Sequence, residues 1–183
     1  SIYYKISSKI ATLFFDSIIT DSVEMKKVYN SLFKKNSTVI RYGSTMTETL
    51  NDEFLKKLNI KIQDYYLIVG RLIPDNNCKL IIKEFLRTKS KKKLVIVGDV
   101  PYRDKYSEDI KLIKSERIIL TGYINSQEEL TQIYRNCFCY IHGHEFGGTN
   151  PTMINALDLN CNIIALKTKF NIEMLLGKNV IFF

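Results

Sequence analysis

The residues best suited to chemistry lie in one stretch, His142-Gly143-His144-Glu145-Phe146-Gly147-Gly148-Thr149-Asn150-Pro151. Adjacent glycines at 147 and 148 let a backbone approach a ligand closely. Asn150 and Pro151 read as the N-cap and first residue of a helix. A helix start offers free N–H groups and the positive end of its dipole, which suits an anion such as a diphosphate. The same letters also fit a glycine-rich turn before a well-capped helix, and local pattern alone leaves both readings open. Two further loops carry polar groups directly after apolar runs. Gly70-Arg71-Leu72-Ile73-Pro74-Asp75-Asn76-Asn77 offers an arginine able to grip phosphate through paired hydrogen bonds. Gly98-Asp99 could meet a nucleoside. A lone arginine or a Gly-Asp turn after a strand is also ordinary surface. His142 and His144, two residues apart, would point the same way on a strand. No third metal ligand is evident in the sequence, so no metal site is expected, and the pair reads as polar loop residues near a ligand.

These loops need a frame, and the intervening sequence supplies one. Tyr66 to Val69, Leu94 to Val97, Ile118 to Leu120, Phe138 to Ile141 and Asn162 to Leu166 are short and mostly apolar on both faces, with a last strand starting near Val180. That is the pattern of parallel strands covered by helices. Between them, Ser126-Gln127-Glu128-Glu129 is a capping box, followed by Leu130, Ile133, Tyr134 and Cys137 at helical spacing. Leu80, Ile81, Phe85 and Leu86 form another stripe, and Met153, Ile154 and Leu157 a third. The expected fold is α/β: a Rossmann-like open parallel sheet with helices on both faces. In such sheets ligands bind beyond the carboxyl ends of the strands, where all three polar loops fall.

The first forty-odd residues read differently. Ile2, Ile6, Ile10, Leu13 and Phe14 make one apolar helical stripe. A strand at 17–20, a helix at 21–35 and a strand at 38–40 follow, then a linker at 42–45. Thr45 and Glu48 read as a capping box opening the next helix. The expectation is a remnant of a preceding domain in residues 1–42 and a separate domain in 43–183, truncated at its end.

Composition narrows the class. The chain has 183 residues, 45% hydrophobic and 25% charged, ordinary for a globular protein able to bury a core. No apolar run approaches the roughly 18 residues of a membrane span. The opening segment does not read as a signal peptide. The net charge of +8 implies an anionic partner without choosing one. The densest basic run, Lys89 to Lys93, has no adjacent aromatics for base stacking and reads as a solvated turn, so no nucleic-acid partner is expected. Cys78, Cys137, Cys139 and Cys161 form no Cys-x-x-Cys pair and read as free thiols of a reducing cytoplasm. Cys137 and Cys139 are expected on one face of a buried strand.

The order Val69-Gly70-Arg71-Leu72, Leu94-Val95-Ile96-Val97-Gly98-Asp99, Thr121-Gly122-Tyr123, then the Gly-rich loop and its helix, resembles the retaining glycosyltransferases of the GT-B fold, family four, the glycosyl transferases group 1. The stretch His142 to Pro151 and the Pro74-Asp75-Asn76-Asn77 loop are similar to a bacterial subgroup of rhamnosyltransferase-like proteins of polysaccharide synthesis. The resemblance covers residues 66–183 as most of the family's C-terminal domain and 1–42 as the end of its N-terminal domain. It implies an enzyme, a hexosyltransferase, that takes a nucleoside-diphosphate sugar, with dTDP-rhamnose as the suggested donor. The partner would be a glycan or lipid-linked glycan acceptor, and the location cytoplasmic, at the inner face of the membrane through peripheral association. It implies no bound metal and no cofactor beyond the donor. Arg71 would contact the donor diphosphate, with Gly70 beside it. Gly147, Gly148, Thr149 and Asn150 would cradle phosphates and sugar, with His144 near the donor, and Asp99 and Tyr123 would lie near the nucleoside.

The sequence departs from the family's pattern in three places. Asn76 stands where most of the wider family has Lys. Asn155 stands where a Glu usually grips the ribose hydroxyls. Gly147 aligns with the family's first carboxylate, for which nearby Glu145 would substitute in catalysis alongside Arg71. Alternatives in other classes are a non-catalytic nucleotide-sugar-binding module, which Asn155 keeps open, and a sugar-nucleotide epimerase. The fragment alone is expected to bind donor, to lack transfer activity and to self-associate through its first helix.

Overall fold

The computed structural model describes residues 2–102, 104–178 and 180–183. Five strands carry the framework: β3 (Tyr65–Val69), β4 (Lys93–Val97), β5 (Ile118–Gly122), β6 (Cys139–His142) and β7 (Ile163–Ala165). With β8 (Ile181–Phe182) they form a six-stranded sheet in the order β5-β4-β3-β6-β7-β8, and every pairing is parallel. The chain moves outward from β3 to one edge, then returns to β6 and moves to the other. The switch between β3 and β6 leaves a crevice beyond their carboxyl ends.

Burial explains the apolar runs. Leu94, Val95, Ile96 and Val97 are all buried, because both faces of β4 are covered. On one face, Leu67, Val69, Val95 and Tyr140 meet Leu55 of α3 (Glu53–Lys57), Tyr134 of α6 (Gln127–Arg135) and Met153 of α7 (Pro151–Asp158). On the other, Ile68, Leu94, Ile96 and Ile141 meet α4 (Cys78–Arg87) and Ile110 of α5 (Lys105–Lys111). The expected α/β sheet with helices on both faces is the fold observed.

Residues 2–39 form a smaller unit: α1 (Ile2–Phe14), β1 (Ile19–Thr20), α2 (Val23–Phe33) and β2 (Thr38–Val39), with β1 and β2 parallel. Ser22 caps α2 by accepting from the Met25 amide, and Lys34 closes it in the left-handed region. The α1 stripe of Ile2, Ile6, Ile10, Leu13 and Phe14 is exposed along its length.

Four local expectations are corrected. Thr45 and Glu48 open no helix, since no regular element lies between β2 and α3. Gln127 Nε2 donates to both the carbonyl and the hydroxyl of Thr45, so a contact with α6 takes the groups a cap would use. The inward stripe of α4 is Cys78, Ile81, Ile82 and Phe85, with Leu80 and Leu86 exposed. The positions one, four, five and eight from its start face the sheet. Cys137 precedes β6 and joins the Tyr134–Tyr140 cluster, whereas Cys139 lies on β6 next to Tyr140, so the two do not share a strand face. His142 is a fully buried strand residue rather than a loop residue. All four cysteines are free.

Candidate functional site

Glycines end three neighbouring strands, and they shape the floor of the crevice. The Gly70 amide donates to Val97 O and the Gly98 amide to Gly122 O, at 3.0 and 2.8 Å. Gly98 has φ +126, and a Cβ there would collide with the Gly70 carbonyl, so the end of β4 can pass that carbonyl only as glycine. Above this floor opens a cleft of about 960 Å³. Val100, Pro101, Ile124, Leu130 and Phe146 give it an apolar wall. Gly70, Arg71, Asp99, Tyr123, His144, Gly147 and Asn150 line it as well. Seven sequence-predicted residues from four loops thus share one cavity.

The other predicted residues stand around this cavity rather than in its lining. Glu145 is tied down: its Oε1 accepts from Asn77 Nδ2 at 2.9 Å and its amide donates to Asp75 O at 2.9 Å. Gly148 is buried against the carboxylate of Asp21, and the Thr149 hydroxyl donates to the Asp21 carbonyl. Asn155 accepts from Ser44 Oγ at 3.3 Å. Asp99 lines the cleft with its carboxylate engaged. A hydrogen bond from Lys111 and one from the Val100 amide hold it below the usual carboxylate range.

Two loops that looked separate in sequence interlock. Asn77 sits in the left-handed region, and its Nδ2 donates to both Gly143 O and Glu145 Oε1. A Cβ at Gly143 would come within 2.5 Å of Asn76 O and 2.8 Å of Ile81 Cδ1, so the His-Gly-His glycine is a packing requirement. Asn76 is buried and donates to Arg71 O at 2.7 Å, which fixes the backbone of the arginine loop.

From the cleft wall a polar chain that the sequence did not reveal runs into the buried interior. Tyr140 Oη lies 2.9 Å from both His142 Nδ1 and Thr152 Oγ1, and Thr152 Oγ1 donates to Asn150 Oδ1 at 2.8 Å. With the Thr152 proton committed to Asn150, Tyr140 donates to Thr152 and His142 Nδ1–H donates to Tyr140. The chain ends on the side chain that caps α7, where Asn150 also accepts from the Thr152 amide. Spacing of Tyr140, His142 and Thr152 on adjacent elements was its only sequence trace. His144 stacks on His142 with centroids 4.4 Å apart. Burial, then the Arg71 charge, push His144 down to about 4, and burial, then His144, lower His142, so both rings are neutral at pH 7. Among the described residues no cluster of three or more His, Cys, Asp or Glu could hold a metal ion.

Comparison with known proteins agrees with this architecture. An N-acetylgalactosamine-N,N'-diacetylbacillosaminyl-diphospho-undecaprenol 4-alpha-N-acetylgalactosaminyltransferase of Campylobacter jejuni is 25% identical over 151 residues, which are 82% of this chain and 40% of that protein. The crystal structure of Anabaena Alr3699/HepE in complex with UDP and glucose superposes with a TM-score of 0.83 at 15% identity, over 98% of this chain and 52% of that one. Sucrose-phosphate synthase from Thermosynechococcus elongatus gives 0.81 at 14% identity, over 100% and 48%. The chain therefore spans about half the length of these proteins or less, and the two structures share its GT-B type of fold. The model of the family described as Glycosyl transferases group 1 matches residues 51–179, more than half of the chain, and the chain belongs to that family.

Proposed function

We propose that the cleft binds a nucleoside-diphosphate sugar and that the protein transfers its hexose or deoxyhexose, with retention, to a glycan or lipid-linked glycan acceptor. The observation that carries this reading is the convergence of Arg71, Gly147 and the Asn150 cap of α7 on one cavity at the switch point of the sheet. The apolar wall of Val100, Pro101 and Ile124 suits the flat face of a nucleobase. As the glycosidic bond breaks, negative charge develops on the departing diphosphate. A guanidinium and the positive end of α7 can stabilise it without a resident metal or cofactor. His144, neutral and beside Arg71, adds no competing positive charge.

The donor sugar and base are the finer part of the proposal. The rhamnosyltransferase-like resemblance favours dTDP-rhamnose, while the Anabaena neighbour was solved with UDP and glucose. The Campylobacter relative acts, by its name, on a diphospho-undecaprenol sugar, which supports a lipid-linked acceptor at a membrane surface. Among the described residues no helix is long and apolar enough to cross a membrane. The test is calorimetry of the protein against UDP, dTDP and GDP and their sugars. Binding of at least one nucleoside diphosphate is expected, and no binding by any member of the panel would refute the reading.

A further inference from the structure

We infer that Glu173 is a positioning residue for this cleft: it clamps the smaller N-terminal unit onto the Gly-rich loop and thereby sets the loop's shape. The inference rests on the reading of the cleft as a donor site, and it concerns a residue outside the cleft's lining. Glu173 lies on α8 (Lys169–Met174), and its side chain is only 14% exposed. Its Oε1 accepts from the Val23 amide and its Oε2 from the Glu24 amide, each at 2.8 Å. Arg41 Nη2 donates to Oε1 at 2.5 Å. One carboxylate therefore holds the first turn of α2 and Arg41, two residues past β2, from a helix that follows β7 of the six-stranded sheet. The Ser22 hydroxyl serves the next amide, Met25, so the start of α2 is satisfied by these contacts.

The clamp reaches the loop through Asp21, which immediately precedes the Ser22 cap. Its carbonyl accepts from the Thr149 hydroxyl, and its carboxylate fills the space that a side chain at Gly148 would need. The same helix α8 braces the loop twice more. Asn171, buried, donates from Nδ2 to His144 O at 3.1 Å, and Met174 Sδ lies 3.3 Å from the Asn150 amide. Residues 144–150 are thus held at both ends by α8 and in the middle by the start of α2, which Glu173 keeps in place.

The test uses the full chain with Glu173→Gln, which keeps the volume and removes the charge. Hydrogen exchange at 147–150 and 23–26 is measured together with the affinity for whichever nucleoside diphosphate the wild type binds. Faster exchange in both segments and roughly 3- to 30-fold weaker binding are expected, the scale on which packed positions modulate a distant site. Faster exchange at 23–26 alone, with exchange at 147–150 and affinity unchanged, would reduce Glu173 to a helix cap and overturn the inference. The reversed pair, Glu173→Arg with Arg41→Glu, restores an ion pair but sets a guanidinium against the α2 amides. It should not rescue, and full rescue would overturn the clamp. If the wild type binds no nucleoside diphosphate, the functional reading fails, while exchange at 147–150 still decides the clamp.

Discussion

Arg71 and His144 both line the cleft, the one cationic and the other a neutral ring at pH 7. Arg71→Ala is expected to weaken nucleoside diphosphate binding by about 1.5–3 kcal/mol, the scale of a hydrogen bond to a charged group. Calorimetry showing unchanged affinity would remove Arg71 from the diphosphate. His144 carries a pH signature. Its value in the folded protein is pushed down to about 4, against about 6.5 in an unfolded chain. Between those values the unfolded state holds more protons, so stability rises with pH across the window. His144 costs nothing above pH 6.5, and stability falls as pH drops through 4, by up to about 3 kcal/mol. Denaturant midpoints at pH 4 to 7 should show a shallower slope for His144→Gln than for the wild type. Identical slopes would contradict a buried neutral His144.

At the scale of elements, the Gly-rich loop owes its shape to what packs behind it. Gly148 lies against the Asp21 carboxylate and outside the left-handed region, so an added methyl would press on the end of a side chain that can rotate aside. Gly148→Ala should therefore cost no more than about 1 kcal/mol, the low end for overcrowding. Asp21→Ala in the same chain should recover much of that loss, since it empties the space. Thermal unfolding of the two single variants and the double one measures the coupling. Purely additive effects would mean that the contact does not constrain the loop. The Asn150 cap is similarly supported from behind, by the Thr152–Tyr140–His142 chain, which ties the start of α7 to the interior of the sheet.

Across the whole molecule, the helical sandwich around the sheet contrasts with an uncovered N-terminal helix. Ile2, Ile6, Ile10, Leu13 and Phe14 are each more than half exposed and line one face of α1. A contiguous apolar stripe of this kind favours association. The 183-residue chain is expected to self-associate with rising concentration, and Ile6→Lys with Ile10→Lys to suppress it. Sedimentation velocity over a concentration series reads both. A wild-type chain that stays monomeric throughout would remove α1 as an association surface.

The order of the sheet strands, three of the helices between them and the positions of the polar loops were legible from the residues alone, whereas α5 and α8 were not. Runs such as Leu94 to Val97 are apolar on both faces, which only a covered parallel strand explains, and Ser126 and Asn150 mark helix starts through chemistry local to a few residues. These signals survive because propensity and burial agree there. Where a distant partner outbids the local pattern, sequence reading failed. Thr45 looked like a cap, but Gln127 takes its groups. Glu145, expected to stand in for the carboxylate aligned with Gly147, accepts from Asn77, a contact no local pattern announces. Tertiary structure alone decided which polar groups face the cleft, that two distant loops interlock through Asn77 and Gly143, and that Glu173 joins α8 to α2. The physical reason is common to all three: each depends on hydrogen bonds between residues far apart in the chain, and such bonds leave no period or local motif to read.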